Sequence, residues 1–160
     1  MTQEIYSRFL SGIIKPHYFK VVENLEDVLV NRESNLIAID GRSGVGKTEL
    51  SRFLSWRFNI CLVETDIFFS TRTSKKQTEY DALRRVIERQ VNSRRPVFVE
   101  GIKILETLEE IEQTPSYLIY LNPKKSPNQL TLRKTVYDYE KKYNPQKMAD
   151  LIVKYEIPEV

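Results

Sequence analysis

The residues best suited to chemistry lie in one short segment, GRSGVGKT, which spans residues 41–48. Its spacing fits G-x-x-x-x-G-K-[ST], a pattern typical of phosphate-binding loops. The glycines allow the backbone to turn its N–H groups towards an anion. Lys47 is a cation that can reach phosphate oxygens, and the Thr48 hydroxyl is a ligand of the kind that Mg²⁺ prefers. The segment predicts a loop, called the P-loop below, that binds the phosphates of a nucleotide with Mg²⁺. The residues expected to contact the nucleotide are Gly41, Arg42, Ser43, Gly44, Val45, Gly46, Lys47, Thr48 and Glu49.

Three acidic residues come at or just after the ends of apolar runs. Asp40 follows LIAI, Asp66 follows ICLVE after one threonine, and Glu100 ends PVFVE. Ligands of open α/β folds bind outside the carboxyl ends of the strands, so these carboxylates are candidates for site residues. Glu100 is suited to bind a magnesium-bound water or a substrate hydroxyl, with a structural cap for the next helix as the alternative. Asp40 is predicted to fix loops behind the phosphate site.

The elements that must position these residues alternate along the chain. The short runs are continuously apolar, which is typical of parallel strands covered by helices on both faces. Strand–helix alternation predicts an α/β fold with three layers. The predicted strands are 36–39, 60–64, 96–100, 116–121 and 150–155, and the predicted helices are 46–57, 78–93, 103–112 and 128–142. Within the helix at 78–93, the residues expected on the buried face are Leu83, Val86, Ile87 and Gln90. Residues 1–33 form a helical extension packed on this body, with Pro16 separating two helices.

The composition sets broad limits on the protein. A chain of 160 residues is long enough for one domain, and a net charge of +3 is too small to indicate nucleic-acid binding. No apolar run approaches the roughly 20 residues of a membrane span. The start lacks the pattern of a signal peptide, so we expect a cytoplasmic protein. Cys61 lies in an apolar run and is predicted to be a buried thiol.

Several classes of P-loop protein lack their defining motifs here. A GTPase needs N-K-x-D after a later strand, and NPKK at 122–125 does not fit; the ABC signature LSGGQ is also absent. An AAA+ motor needs a helical domain for which the chain has little room. The small-molecule kinases remain. The blocks IAIDGRSGVGKTELSRFL, ETDIFF, RRPVFVEGIKIL and NPQKMADLIV resemble, in that order, the uridine kinase/phosphoribulokinase-like family of P-loop kinases. The resemblance covers residues 35 to about 154.

The resemblance implies a P-loop NTPase fold whose five-stranded parallel sheet has the order 2-3-1-4-5. It also implies ATP and Mg²⁺ as cofactors, a small-molecule acceptor, and a closing lid at 122–135. Asp66 would orient the acceptor hydroxyl and act as general base, with Glu64 as a weaker substitute. Thr48 and Glu100 would serve the metal. Phe68, Phe69 and Arg72 would face the acceptor, with core packing and solvation as the alternatives. Arg133 would be the lid arginine that neutralises the transferring phosphoryl group, with a surface cation as the alternative.

Three features differ from the family pattern. The chain is short, the lid region LTLRKTVYDYEKKY has no paired-arginine motif, and STRTSKKQTEYDALRR does not match the pattern that marks uridine as substrate. A nucleoside is therefore favoured by the resemblance alone. A sugar, a vitamin precursor and an antibiotic stay open as acceptors, as does a non-catalytic nucleotide-binding regulatory module. The oligomeric state is left open.

Overall fold

The computed structural model describes residues 15–32, 36–70, 77–124 and 133–156. The strands are β1 Leu36–Gly41, β2 Cys61–Glu64, β3 Phe69–Ser70, β4 Gln77–Thr78, β5 Val97–Glu100, β6 Tyr117–Pro123 and β7 Leu151–Tyr155. The helices are α1 Pro16–Val28, α2 Lys47–Phe58, α3 Tyr80–Asn92, α4 Ile104–Glu110, α5 Arg133–Tyr143 and α6 Pro145–Met148, with a 3₁₀ turn at Thr65–Phe68. None of the helices in these ranges is long and apolar enough to cross a membrane.

The main sheet has five parallel strands in the order β2-β5-β1-β6-β7. Counted along the chain, this is the order 2-3-1-4-5, so the predicted fold class is confirmed. In the register of the sheet, Glu64 and Ile39 both lie beside Glu100, while Gly41 lies beside Leu121. The first strand, which leads into the P-loop, is therefore central, and the acidic strand ends lie to one side of it.

Helices cover both faces of the sheet, which explains the continuous apolar runs. On one face, Ile37 and Ile39 of β1 pack with buried residues of α1 and α2, such as Leu25 and Leu50. On the other face, Ala38 packs in a cluster with residues of α3 and α4. Each fully buried isoleucine or leucine side chain contributes roughly 1.5–3 kcal/mol to the stability of the fold. The two layers of helix therefore hold β1 rigid immediately before the P-loop.

Helix α1 packs on the same face as α2, against the end of the sheet where β7 lies. Tyr18, Val21 and Leu25 are at most 1% exposed and belong to the core cluster of that face. Pro16 is the first residue of this helix, where its missing N–H costs nothing. The other predicted helix, around Ile5, Phe9 and Ile13, lies outside the described residues.

Two burial predictions are wrong. Cys61 is exposed rather than buried, because β2 is an edge strand on which only Val63 is fully covered. Val86 is 38% exposed, although Leu83 and Ile87 of the same helix are fully buried. The strip of α3 that faces the sheet is thus narrower than the periodicity predicts.

Residues 70–77, which separate the predicted strand at 60–64 from the predicted helix at 78–93, have paired ends. Ser70 and Gln77 face each other in a short antiparallel pair formed by β3 and β4. The residues between them, 71–76, which include Arg72, lie outside the described part of the chain. Likewise, helix α5 is described from Arg133 onward, and the earlier part of the helix predicted at 128–142 is not described.

Candidate nucleotide site

The P-loop connects the central strand β1 directly to helix α2. Gly44 and Gly46 have φ values of 73° and 83°, in the left-handed region that favours glycine. Gly41 has φ 146°, and a Cβ placed on it would come within 2.9 Å of the Leu121 carbonyl oxygen. Glycine is therefore required at Gly41 by both conformation and space. The loop ends at Gly46, and α2 begins at Lys47, so the first N–H groups of the helix have no partner within the helix and point into the loop.

The side chain of Lys47 is buried and bonds to the backbone of its own loop. Its Nζ donates to the carbonyl oxygens of Gly41 and Arg42, each at 2.9 Å, and the residue is only 6% exposed. Burial lowers the pKa of this ammonium group, while the negative charges of Glu100, Asp40 and Asp66 act against that change. The cation is thus held among backbone carbonyls and carboxylates, where phosphate oxygens can replace the carbonyls as its partners.

Thr48 and Glu100 bring two oxygen ligands together beside Lys47. The Thr48 hydroxyl donates to Oε1 of Glu100 at 2.9 Å, and Glu100 is only 3% exposed. Burial raises the pKa of this carboxyl, and the bond from Thr48 and the charge of Lys47 partly offset it. Among the described residues there is no cluster of three or more His, Cys, Asp and Glu that could hold a metal alone. One hydroxyl and one carboxylate next to bound phosphates do fit Mg²⁺, which keeps several waters and takes few protein ligands.

A cleft of about 450 Å³ runs over the P-loop and joins these groups to others. Asp66 lies in the 3₁₀ turn after β2, is exposed, and lines this cleft together with Glu100. The residues lining the cleft are Lys15, His17, Ser43, Gly44, Val45, Gly46, Lys47, Thr48, Glu49, Asp66, Glu100, Ile102, Tyr155 and Glu156. The P-loop, Asp66 and Glu100 therefore line the same cleft.

Other predicted site residues lie elsewhere. Phe68 packs against the core cluster on the α3 side, and neither it nor Phe69, which is 41% exposed, is among the described residues that line the cleft. Arg72 lies outside the described part of the chain, and Arg133 is the first residue of α5, with a side chain that is not described. The roles of these four residues stay predictions.

Glu64, the weaker candidate for a base, is engaged with Arg52. Both oxygens of Glu64 accept from this guanidinium, at 2.7 and 2.9 Å. A carboxylate in a two-bond pair with arginine has its lone pairs occupied and its charge compensated. Asp66 is thus better suited than Glu64 to accept a bond from an incoming hydroxyl.

The Glu-Gly pair after β5 has a steric explanation. A Cβ placed on Gly101 would lie 2.0 Å from Oγ1 of Thr65, an approach that real Cβ atoms do not make. The Thr65 hydroxyl is itself buried and has no hydrogen-bond partner among the described residues. Gly101 therefore lets the turn that carries Asp66 pack directly against the end of β5, next to Glu100.

Helix α5 contacts the P-loop and the residue before it through two polar pairs that the sequence did not reveal. Arg42 donates to both oxygens of Glu140, at 2.8 and 2.9 Å. The Tyr139 hydroxyl donates to buried Asp40, the residue before the loop. Asp40 is thus bonded to helix α5, and its predicted role in fixing loops behind the phosphate site stays a prediction.

A second cleft, of about 700 Å³, lies on the α5 side of the loop. It contacts the P-loop only at Arg42 and Val45 and is otherwise lined by the end of β6, the α5–α6 corner and β7. Lys47, Thr48, Asp66 and Glu100 are not among the described residues that line it. The smaller cleft is therefore the one that contains the groups suited to phosphate chemistry.

Sequence reasoning missed one end of the smaller cleft. Lys15 and His17 come from the start of α1, and Tyr155 and Glu156 from the end of β7. The position of the β7 end could have been predicted from the sequence. Parallel strands end at the same edge of a sheet, and the order 2-3-1-4-5 brings the last strand to the side of β1 away from Glu100. The arrival of α1 at the same edge had no local signal.

Neither a protein-family model nor a curated protein sequence matches the chain. Solved structures do match it in fold. A possible uridine kinase from Bacillus stearothermophilus aligns with a TM-score of 0.57 and 16% sequence identity, over 82% of this chain and 96% of that one. A shikimate kinase from Bacteroides thetaiotaomicron aligns with a TM-score of 0.43 and 18% identity, over 74% and 84% of the two chains. Together with the strand order and the loop, the first likeness shows that this chain has the fold of the P-loop kinases.

Proposed function

We propose that this chain is an ATP- and Mg²⁺-dependent kinase that transfers the γ-phosphoryl group to a hydroxyl group of a small molecule. The observation that carries the proposal is the smaller cleft, in which Lys47, Thr48, Glu100 and Asp66 converge. Phosphoryl transfer needs charge neutralisation, alignment of the acceptor and a group that takes the acceptor proton. These residues supply the first and the last of these needs.

Each of these residues has a separate role in the proposed reaction. The P-loop N–H groups bind phosphate oxygens, and Lys47 exchanges its bonds to the Gly41 and Arg42 carbonyls for bonds to the phosphates. Mg²⁺, held by Thr48 and through water by Glu100, would neutralise phosphate charge when it is bound. Asp66 is exposed on the same cleft; it accepts a hydrogen bond from the acceptor hydroxyl and takes its proton as the oxygen attacks.

The lid arginine remains part of the proposal. Arg133 is the first residue of helix α5, which bonds to the P-loop through Glu140 and to Asp40, the residue before the loop, through Tyr139. An arginine at this point is close in sequence to those contacts and would stabilise negative charge on the transferring group when the lid closes.

A nucleoside of the uridine type is the favoured acceptor. The support is the resemblance in ETDIFF, in the Glu-Gly pair and in NPQKMADLIV, together with the fold likeness to the possible uridine kinase. The region that would face the acceptor, STRTSKKQTEYDALRR at 70–85, does not carry the pattern that marks uridine. A panel with uridine, cytidine, a hexose and a vitamin precursor is therefore the first assay, with acceptor-dependent ADP release as the signal.

Asp66→Asn tests the mechanism. The change keeps the shape of the side chain and removes its charge, and positioned general bases contribute roughly 10²–10⁴-fold. We expect phosphoryl transfer to fall by about that factor while ATP affinity stays near that of the wild type, because the P-loop makes the nucleotide contacts. Glu64→Gln is the matched control, since Glu64 is paired with Arg52, and it should change transfer much less.

Two outcomes would change the mechanism, and a third would count against the function. A near-normal rate in Asp66→Asn would remove Asp66 from the mechanism. A large loss in Glu64→Gln alone would move the base two residues upstream. ATP binding without ADP release, with every acceptor in the panel, would favour a nucleotide-binding regulatory module.

A further inference from the structure

The cleft over the P-loop has two chemically different ends. Glu100 and Asp66 belong to β5 and the turn after β2, which lie on one side of β1, while Tyr155 ends β7, two strands away on the other side. Neighbouring strands are about 4.8 Å apart, so Tyr155 and Glu100 are separated by roughly three such spacings across the mouth of the site. All three residues nevertheless line the same cleft.

The end of the cleft away from the carboxylates is aromatic. The rings of His17 and Tyr155 are stacked, with centroids 3.9 Å apart and planes at 16°. The Tyr155 hydroxyl donates to the Val45 carbonyl of the P-loop. His17 also meets Tyr18 edge-on, and Tyr18 is 1% exposed. The pair is therefore anchored from behind by the core of α1 and from the side by the P-loop.

A nucleotide in this cleft has only one consistent direction. Its transferable phosphate has to lie near Glu100 and Asp66, where the oxygen ligands and the base are. Because the P-loop between the two ends binds the phosphate chain, the remaining part of the nucleotide extends towards β7 and the start of α1. The groups it meets there are the His17–Tyr155 pair and the polar rim formed by Lys15 and Glu156.

We propose that the nucleoside part of the bound nucleotide packs against His17, with Tyr155 supporting the ring from behind, so that helix α1 is part of the nucleotide site. The inference rests on the proposed nucleotide binding of the P-loop. Flat bases stack on aromatic rings with little dependence on sequence, at a gain that corresponds to about 5- to 150-fold in affinity. Lys15 is paired with Glu49 of α2, which fixes the first residues of α1 next to the P-loop.

The larger cleft on the α5 side is the competing location for the nucleoside. It contacts the P-loop at Arg42, but the guanidinium of Arg42 already donates two hydrogen bonds to the carboxylate of Glu140. A base placed there would leave the aromatic end of the phosphate cleft without an occupant. Asn122 lines the larger cleft but not the smaller one, so a variant at this position distinguishes the two locations.

The test compares a probe that carries a base with one that does not. Isothermal titration with MgATP and with magnesium tripolyphosphate is performed on the wild type, His17→Ala, His17→Phe, Phe19→Ala and Asn122→Ala. Phe19 is the matched control, because it is on the same helix, 58% exposed and outside the cleft. Circular dichroism and urea unfolding establish that each variant is folded.

His17→Ala is expected to weaken the binding of MgATP by about 5- to 150-fold and to leave the binding of tripolyphosphate unchanged. His17→Phe keeps an aromatic face and should bind MgATP nearly as well as the wild type, as should Phe19→Ala and Asn122→Ala.

Equal weakening of both probes in His17→Ala would overturn the inference, because His17 would then act only by holding the P-loop. Unchanged MgATP affinity in His17→Ala, or a base-specific loss in Asn122→Ala, would also overturn it while leaving the proposed kinase function standing. A wild type that binds neither probe would overturn the proposed function and this inference together.

Discussion

Asp40 should make the protein less stable as the pH rises from about 4 to about 7. The side chain is 1% exposed. One carboxylate oxygen accepts from the Gly41 N–H at 2.7 Å, and the other accepts from the Tyr139 hydroxyl. Burial raises the pKa of this carboxyl to about 6, even though both bonds and the charge of Lys47 act in the opposite direction. The folded protein therefore favours the protonated form of Asp40, and ionising this carboxyl lowers the stability of the fold.

The direction in which stability changes with pH follows from the number of protons bound in the folded and the unfolded state. In the unfolded chain Asp40 has a pKa near 3.8, and in the native protein near 6. Between these values the native state holds one more proton, so the contribution to stability is fully present below the lower pKa and is lost as the pH rises through the upper one. A difference of about two pKa units corresponds to about 3 kcal/mol.

Asp40→Asn removes this titration and keeps the shape. The free energy of unfolding in urea, measured from about pH 4 to about pH 7.5, should fall by about 2.4 kcal/mol more in the wild type than in the variant. Glu100, whose pKa is also raised by burial, is present in both proteins and cancels in the comparison. Asp138→Asn, on an exposed residue of α5, serves as the control. The reasoning is refuted if wild type and Asp40→Asn show the same dependence on pH.

Two further changes test the site and its packing. Lys47→Ala should abolish acceptor-dependent ADP formation without unfolding the chain, because the ammonium group bonds to loop carbonyls and not to the core; a coupled ADP assay that finds wild-type turnover would disprove the P-loop assignment. Gly101→Ala should destabilise the fold by about 1–3 kcal/mol, because the new Cβ meets Oγ1 of Thr65. Adding Thr65→Ala should recover part of that loss in urea unfolding, and strictly additive effects would contradict the steric explanation.

Much of the fold was accessible from local patterns. The run LIAID followed by GRSGVGKT and an apolar helical pattern predicts β1, the P-loop and α2 in their correct order, because the motif, the strand and the helix are all contiguous in sequence. Continuous apolar runs predicted strands with both faces covered, and Ile37 and Ala38 indeed pack in opposite clusters.

The contacts that hold the site together were not accessible in this way. Arg42 and Glu140 are 98 residues apart, and Asp40 and Tyr139 are 99 apart. Periodicity indicates which face of a helix is buried, but it does not indicate which distant element covers that face. Cys61 shows the same limit, since an apolar neighbourhood in sequence did not distinguish an edge strand from a central one.

The bond between Tyr155 and the Val45 carbonyl has a consequence for how the protein is made. The two residues are 110 positions apart, so a growing chain that already contains the whole P-loop still lacks one of the groups that shape it. Ribosomes add roughly 5–20 residues per second, and the loop therefore waits several seconds for its last strand. During that interval the P-loop lacks this bond, and the early strands depend on their own apolar packing until β7 is made.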